Sequence, residues 1–402
     1  MYISLGASTE RDPALAVREA LRQASSSFHG EKINLAIAFS TVDLAYPILL
    51  KLLTSSLSRV PVLGCSGAAV ISSQGILKHG LVLMLVGLPT GVYLNTACVK
   101  DIKERTPLIA GKELGEKLLD GFRSVRRVMS VMFSDGLIDA GSDLLSGLQE
   151  RLGKSFPIVG ASASDNLHFA KTFVYFNQEL LNNSAVAMLW GGKINFGLGV
   201  KHGWKPLGRP RTVTKAEGNI IYEIDDAPAA KLYEEYLARG IPSLQRELKY
   251  ISVLYPIGMY IEGEEEYVLR NILSIEKNGT LHMQGNVTQG CMIRLMIGTK
   301  ESCLTATHQA LEEAKKSLFA STAELSRTAT SHFALVFDSV SRYMLLKRDA
   351  EKELAIIRNG LGEQTPIIGL YTFGEQAPLL SISYQGQACF HNQTVAIVTV
   401  GG

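Results

Sequence analysis

Three continuous apolar runs recur along the chain: INLAIAFST (33–41), VRRVMSVMFSDG (125–136) and HFALVFDSV (332–340). Their length and β-branched content predict buried strands, and each ends in Ser, Thr or Asp, residues that make turns and cap helices. An amphipathic stretch follows each run, at 42–57, 139–153 and 348–362. In the second, Leu144, Leu145, Leu148 and Leu152 share one helical face, while Asp143, Gln149 and Arg151 fall elsewhere. Next comes a proline, two apolar residues and a glycine: PVLGCS (61–66), PIVGAS (157–162) and PIIGLY (366–371). After a loop, a last apolar run closes each copy: LVLMLVG (81–87), SAVAMLWGG (184–192) and TVAIVTVGG (394–402). Agreement in motif, element order and spacing predicts a repeated strand, helix, strand, loop, strand unit, present twice in the first half and once near the C-terminus.

Other segments fill in around these units. Residues 12–25 predict a helix capped by Asp12, with Pro13 at its first position. Helices are also expected over 110–122, over 225–240 (begun by a capping Asp and Pro228) and over 300–319. KHGWKPLGRPRTVTKAEGN (201–219), rich in Gly, Pro and basic residues, predicts a long surface connection. Leu269 to Met283 predicts a hairpin turning at Asn278-Gly279. The expected class is α/β, with mixed sheets, packed helices and an internal strand-helix-strand repeat. A chain of 402 residues is long for one core. Two domains are expected, 1–222 and 223–402, dividing near 215–226.

Composition narrows the function classes. Hydrophobic residues make up 46% and charged residues 19%, which is globular. A net charge of +2 gives no strong field for nucleic acid or anionic lipid. The longest dense apolar run, GLVLMLVGL (80–88), falls short of the roughly 20 residues a bilayer span needs. The N-terminus lacks a signal-peptide pattern. Five scattered cysteines without a CxxC pair read as reduced thiols, so a cytoplasmic location is expected.

Catalytic motifs are missing. There is no GxxxxGK[ST], no GxSxG and no HExxH. GCSG (64–67) has the wrong spacing, and GLGVKHG (197–203) leads to Pro206 and Pro210 instead of a helix. Asp135, Asp139, Asp143 and Asp165 are candidate acids without a marked partner base; Asp135 and Asp143 read as caps. Ligand binding is better supported. Strands ending in Gly and small residues let backbone N–H groups approach a ligand, and open α/β sheets bind beyond their carboxyl ends. Gly64, Cys65 and Ser66 with Gly160, Ala161 and Ser162 form one candidate site, and Gly369, Tyr371 and Thr372 a second. Each glycine can equally serve only a tight turn. Polar groups gather near the second: Glu375, His391, Asn392 and Arg342 beside Tyr371 and Thr372. Set against this is a structural Arg342–Glu375 ion pair, with His391 on a backbone carbonyl. His202 and Trp204 suit a packed turn, or an aromatic wall with a histidine ligand. EGEEE (262–266) and the five basic residues of 201–215 read as solvated surface, the latter alternatively as an anion site.

Taken in order, the motifs resemble the FIST sensory proteins over nearly the whole chain. In the first half these are LGCSGAAVIS (63–72), FSDG (133–136), VGASASDN (159–166) and NNSAVAMLWGG (182–192). KHGWKPLG, TKAEGN and APAAKLY look like the joint between a FIST N-terminal and a FIST C-terminal domain. YVLRNIL (267–273), GNVTQGCMIRL (285–295), GLYTFGEQAP (369–378) and FHNQT (390–394) carry the second half. The chain departs at FDSVSRY (337–343): Ser339 stands where relatives often have a cysteine before a Gly-Arg pair, and Arg342 is kept. The resemblance implies a non-catalytic ligand sensor that acts in trans on a histidine kinase or a cyclic-di-GMP enzyme. Its ligand would be haem b sensing nitric oxide, with His391 or His202 on the iron, or else an amino acid or other small polar metabolite. An enzyme and a pure scaffold are the rival classes.

Overall fold

A computed structural model describes all residues except 27, 29–30, 123, 139–140, 262–266, 323–330, 380–385 and 402. Asp139 and the EGEEE segment therefore lie outside the described residues. The first unit runs β1 (Tyr2–Ser8), α1 (Pro13–Ser25), β2 (Leu35–Thr41), α2 (Pro47–Leu57), β3 (Val62–Gly67), a hairpin of β4 (Val70–Ser72) and β5 (Gly75–Leu77), and β6 (Leu81–Gly87). The second repeats that order: β7 (Val92–Val99), α3 (Pro107–Leu119), β8 (Arg127–Ser134), α4 (Gly141–Leu152), β9 (Ile158–Ser162), β10 (Val174–Phe176), β11 (Glu179–Leu181) and β12 (Ala185–Gly192).

The third unit opens with β13 (Asn195–Lys201) and is then interrupted. The insertion comprises β14 (Lys205–Glu217), β15 (Ile220–Ile224), β16 (Ala227–Pro228), α5 (Lys231–Leu237), α6 (Ile241–Arg246), α7 (Leu248–Leu254), β17 (Ile257–Tyr260), β18 (Tyr267–Arg270), β19 (Ile272–Ile275), β20 (Leu281–Met283) and β21 (Met292–Ile297). The unit resumes with α8 (Lys300–Thr322), β22 (Ser331–Ser339), α9 (Val340–Leu346), α10 (Ala350–Leu361), β23 (Ile367–Thr372), β24 (Gly374–Pro378), β25 (Ala388–His391) and β26 (Val395–Gly401).

Each unit builds one sheet and lends its hairpin to another. The strand orders are β1-β6-β2-β3-β10-β11, β7-β12-β8-β9-β24-β25 and β13-β26-β22-β23-β4-β5. Among the described residues only the β2/β3, β8/β9 and β22/β23 pairs are parallel. The insertion forms a separate sheet, β18-β17-β21-β14-β15-β20-β19, with β16 beside β15.

Alternation along the central strands explains the packing. Leu35, Ile37 and Phe39 face a core shared by all three units, as do Val131 and Phe133, and Leu335 and Phe337. Phe39, Phe133 and Phe337 meet edge to face there, with centroids 5.3, 6.5 and 5.9 Å apart. The alternate residues turn outward under helices: Ala36 and Ala38 under α1 and α2, Met132 under α3 and α4, Ala334 and Val336 under α8 and α10. With both faces covered, these strands read as unbroken apolar runs.

The motif glycines have a packing role. A Cβ on Gly64 would lie 1.7 Å from the Ala38 carbonyl oxygen, on Gly160 1.9 Å from that of Met132, and on Gly369 2.1 Å from that of Val336. The parallel neighbour comes too close for any side chain. The glycines of GLGVKHG act similarly inside β13, where Gly197 and Gly199 admit the backbone of α8 at Ala314 and Ala310.

Several expectations are corrected. Residues 201–219 hold β14, which lies at the surface as expected but pairs with β21 and β15 as a strand of the insertion instead of serving as a connection; Gly208 and Pro210 fall where its register against β21 shifts, so the missing N–H is not needed. The helix expected over 225–240 is present but starts later, as α5 at Lys231, because Asp225 and Asp226 take left-handed φ of 50° and 59° in the β15–β16 turn. Apart from these corrections, the division expected near 215–226 falls in the β14–β15 part of the insertion, and β13, the first strand of the third unit, precedes it.

Candidate functional site

A cavity of about 480 Å³ lies between the insertion and the three-unit body. The insertion contributes Leu248, Lys249, Ser252 and Val253 of α7, Asn271, Ile272 and Leu273 at β19, and Gln284 and Gly285 beyond β20. The body contributes Gly136 to Ile138, Gly141, Ser162, Leu167 and Phe169 from the second unit. Val340, Ser341, Met344, Phe373 and Phe390 come from the third. Phe169 stacks on Phe373 at 4.4 Å, giving an aromatic wall half open to solvent.

Side-chain amides fix the joint behind this wall. Asn271 Nδ2 donates to Gln284 Oε1 at 3.0 Å, and Gln284 Nε2 donates to the Phe373 carbonyl at 2.6 Å. Gln393 donates to the Ser252 carbonyl at 2.8 Å and to Asn271 Oδ1, and the Asn271 N–H reaches Asn392 Oδ1 at 3.3 Å. Gln393 holds a left-handed φ of 62° to do so. Ser162 Oγ accepts from Gln376 Nε2 at 2.9 Å. Three of these buried amides keep spare capacity: Asn392 Nδ2, Gln376 Oε1 and Gln393 Oε1 have no partner among the described residues.

Of the sequence-derived candidates, Ser162 lines this cavity and Asn392 stands one layer behind it. Gly64 and Gly160 are packing positions, and Ser66 Oγ donates to the Ser164 carbonyl at 2.9 Å. Tyr371 stacks on Tyr343 at 4.3 Å, and Thr372 Oγ1 bonds the Gly374 backbone. Arg342 does not oppose Glu375. It is 0% exposed and pairs with Asp338 at 2.9 Å and with Glu353, while donating to the carbonyls of His202 (2.5 Å) and Cys303 (3.1 Å). Burial and the nearby Glu353 push the Asp338 carboxyl well up; Glu353, despite burial, is held low by Arg342. Glu375 accepts from Thr394 N–H (3.1 Å) and Oγ1 (2.7 Å). The hairpin that carries Glu375 and His391 crosses to the second unit's sheet, where β24 pairs with β9. The pocket expected within the third unit is thus a joint of two units and the insertion.

Phe169, Phe373, Phe390, Asn271 and Gln284 were not singled out from sequence. A signal was nonetheless there. FSDG, VGASASDN, YVLRNIL, GNVTQGCMIRL, GLYTFGEQAP and FHNQT supply Gly136, Ser162, Asn271, Gly285, Phe373 and Phe390, and these converge on the cavity.

The two histidines do not suit haem iron. Burial draws His391 down to about 4 and His202 to about 3, so both are neutral with one lone pair each. His391 Nε2 faces the Ala377 carbonyl at 3.1 Å, which can only accept, so Nε2 carries the proton. The His202 lone pair, on Nδ1, already accepts the Trp204 N–H at 2.9 Å. Neither histidine lines the apolar cavity; His202 borders a separate, more polar cleft.

These groups predict a bell-shaped stability profile. Burial raises Glu375 to about 8, so its contribution is present in acid and lost as pH rises through about 8. His202 and His391 are depressed, so theirs is present above about 6.5 and lost as pH falls toward their folded values. Glu375→Gln is expected to flatten the alkaline limb in urea unfolding followed from pH 5 to 9. An unchanged limb would show that Glu375 does not set it.

The sequence matches the family model of the FIST N domain over residues 34–227 and that of the FIST C domain over residues 229–378. An uncharacterised protein of Methanocaldococcus jannaschii is 26% identical over 252 residues, 58% of this chain and 48% of that protein, so the chain spans about half of that relative. Uncharacterised proteins of Mycobacterium bovis and Mycobacterium tuberculosis are each 22% identical over 391 residues, 94% of this chain and 95% of theirs. FIST domains are associated with small-ligand sensing in signalling and are not a catalytic family. Among the described residues no helix is long and apolar enough to cross a membrane. With both domain models matched in succession over most of its length, the chain belongs to the FIST family.

Proposed function

We propose that this protein is a sensor whose small ligand occupies the cavity between the insertion and the three-unit body, and that it reports to a separate histidine kinase or cyclic-di-GMP enzyme. One observation carries the reading. Six sequence segments that mark the family, distant in the chain, meet on one largely apolar cavity with a few convergent polar groups, the usual make-up of a ligand site. The site straddles a joint held by side-chain amides. A ligand that prefers one setting of that joint would shift the insertion relative to the body, which is the form a signal to a partner takes.

Filling the cavity tests this. Ser341→Phe is expected to leave the melting temperature within a few degrees while abolishing the copurification of small molecules released by denaturation and read by mass spectrometry. An unchanged set of released molecules would move the site elsewhere. Haem is the rival ligand. Protein reconstituted with haem b is expected to show no Soret band attributable to His391 or His202. A stoichiometric band that shifts with nitric oxide and disappears in His391→Ala would replace this reading with gas sensing.

A further inference from the structure

We infer that the cavity takes a small carboxylate with an apolar body, drawn by Arg270 behind the wall and Lys249 at the mouth, and discriminates against zwitterions. This rests on the cavity being the ligand site. Among the described residues that line the cavity, Lys249 is the only charged one. It is exposed, at the rim on α7.

Arg270 supplies the second cation. It is 5% exposed and ends β18, immediately before Asn271 in the lining. Among the described residues its guanidinium donates to carbonyls: Nε to Asn286 at 3.0 Å, and Nη1 to Leu269 at 3.0 Å and Phe390 at 2.9 Å. Arg342, the other fully buried arginine, has two carboxylates; Arg270 has none within ion-pair distance among the described residues. The guanidinium lies against two wall residues. A Cβ on Gly285 would sit 3.1 Å from Arg270 Nε and 3.2 Å from the Phe390 ring edge. A buried cation without a counter-ion is costly, and an anion arriving beside it in a low-dielectric site offsets that cost.

Two acids of the same loop and helix, among the described residues, are already engaged. Asp143 accepts from Asn286 Nδ2 at 2.9 Å, and Asp135 accepts from the Leu137 N–H at 2.9 Å, from Thr172 and from the Asn183 N–H. Neither is left free for a ligand ammonium. The amide oxygens of Asn271 and Gln284 are also taken, by Gln393 and by Asn271. The lining therefore suits the carboxylate end of an aryl or alkyl acid and, among the described residues, offers an α-amino group no free carboxylate. The aromatic wall of Phe169, Phe373 and Phe390 suits the apolar body.

The test is calorimetric titration of the intact chain with probes that share one body. These are 3-phenylpropionate, the longer 4-phenylbutyrate, the neutral 3-phenylpropionamide, and L-phenylalanine, which adds the ammonium. At least one carboxylate is expected to bind about tenfold tighter than the amide and phenylalanine. That preference should shrink in high salt, in Lys249→Gln, and further in Arg270→Gln, which keeps a donor and removes the charge. Lys249 is exposed, so its variant remains informative if Arg270→Gln does not fold. Equal binding of the amide or of phenylalanine overturns the carboxylate class and leaves the cavity as the ligand site. Preference unchanged in the folded charge variants overturns the assigned cations. Binding by none of the four also overturns the class, whereas carboxylate binding that survives Ser341→Phe overturns the cavity itself.

Discussion

Arg342→Ala is expected to lose about 3–5 kcal/mol of stability in chemical denaturation, the usual cost of breaking a buried pair from one side. The reason lies in what remains. Glu353 is 1% exposed and Asp338 1% exposed, and both face the guanidinium. Without it the Glu353 charge keeps only neutral partners, Thr307 Oγ1 at 2.5 Å and the Asp338 carboxyl, and the carbonyls of His202 and Cys303 lose a guanidinium donor. Glu353→Gln added to Arg342→Ala is expected to recover part of the loss, because the uncompensated charge goes with it. A single-variant loss below about 1 kcal/mol would mean that water reaches the network. The same experiment separates architecture from ligand binding: this cluster should affect stability, while Ser341→Phe should affect binding.

Phe133→Ala should cost a similar amount, about 3–5 kcal/mol. Phe133 lies between Phe39 and Phe337 where the three sheets meet, and all three rings are 0% exposed. Loss of the middle ring leaves a void that each sheet, hydrogen-bonded into a neighbour's hairpin, is poorly placed to fill. Phe133→Leu retains more volume and is expected to cost clearly less. Equal losses for the two would show that the core relaxes freely. Because the units exchange hairpins, a single cooperative transition is expected over the three-unit body.

Legibility differed between fold and site. The three PxxG segments became β3, β9 and β23, in equivalent register against their parallel partners, since a glycine beneath a neighbouring carbonyl leaves its mark in sequence. Asp12 caps α1 as its position before Pro13 indicated, accepting from the N–H groups of Ala14 and Leu15. Residues 201–219 misled because their Gly and Pro serve an irregular strand, whose partner β21 lies far along the chain. Glu375 and His391 do meet, as partners across β24 and β25, while Arg342 joins Asp338 and Glu353. Their polarity marked them equally as ligand groups or as a buried network, and sequence carries no burial to separate the two.

Local chemistry, then, determined the unit: apolar runs of strand length, amphipathic helices, caps and obligatory glycines repeat three times because each copy solves the same packing problem. Hairpin exchange and the cavity were decided by tertiary structure alone. Hairpin pairing is made of backbone hydrogen bonds that any side chain permits, so nothing local says that β4 joins β23, β10 joins β3 and β24 joins β9. The cavity is bounded by residues from 136 to 390, and only the closure of those loops around an inserted sheet makes their side chains neighbours.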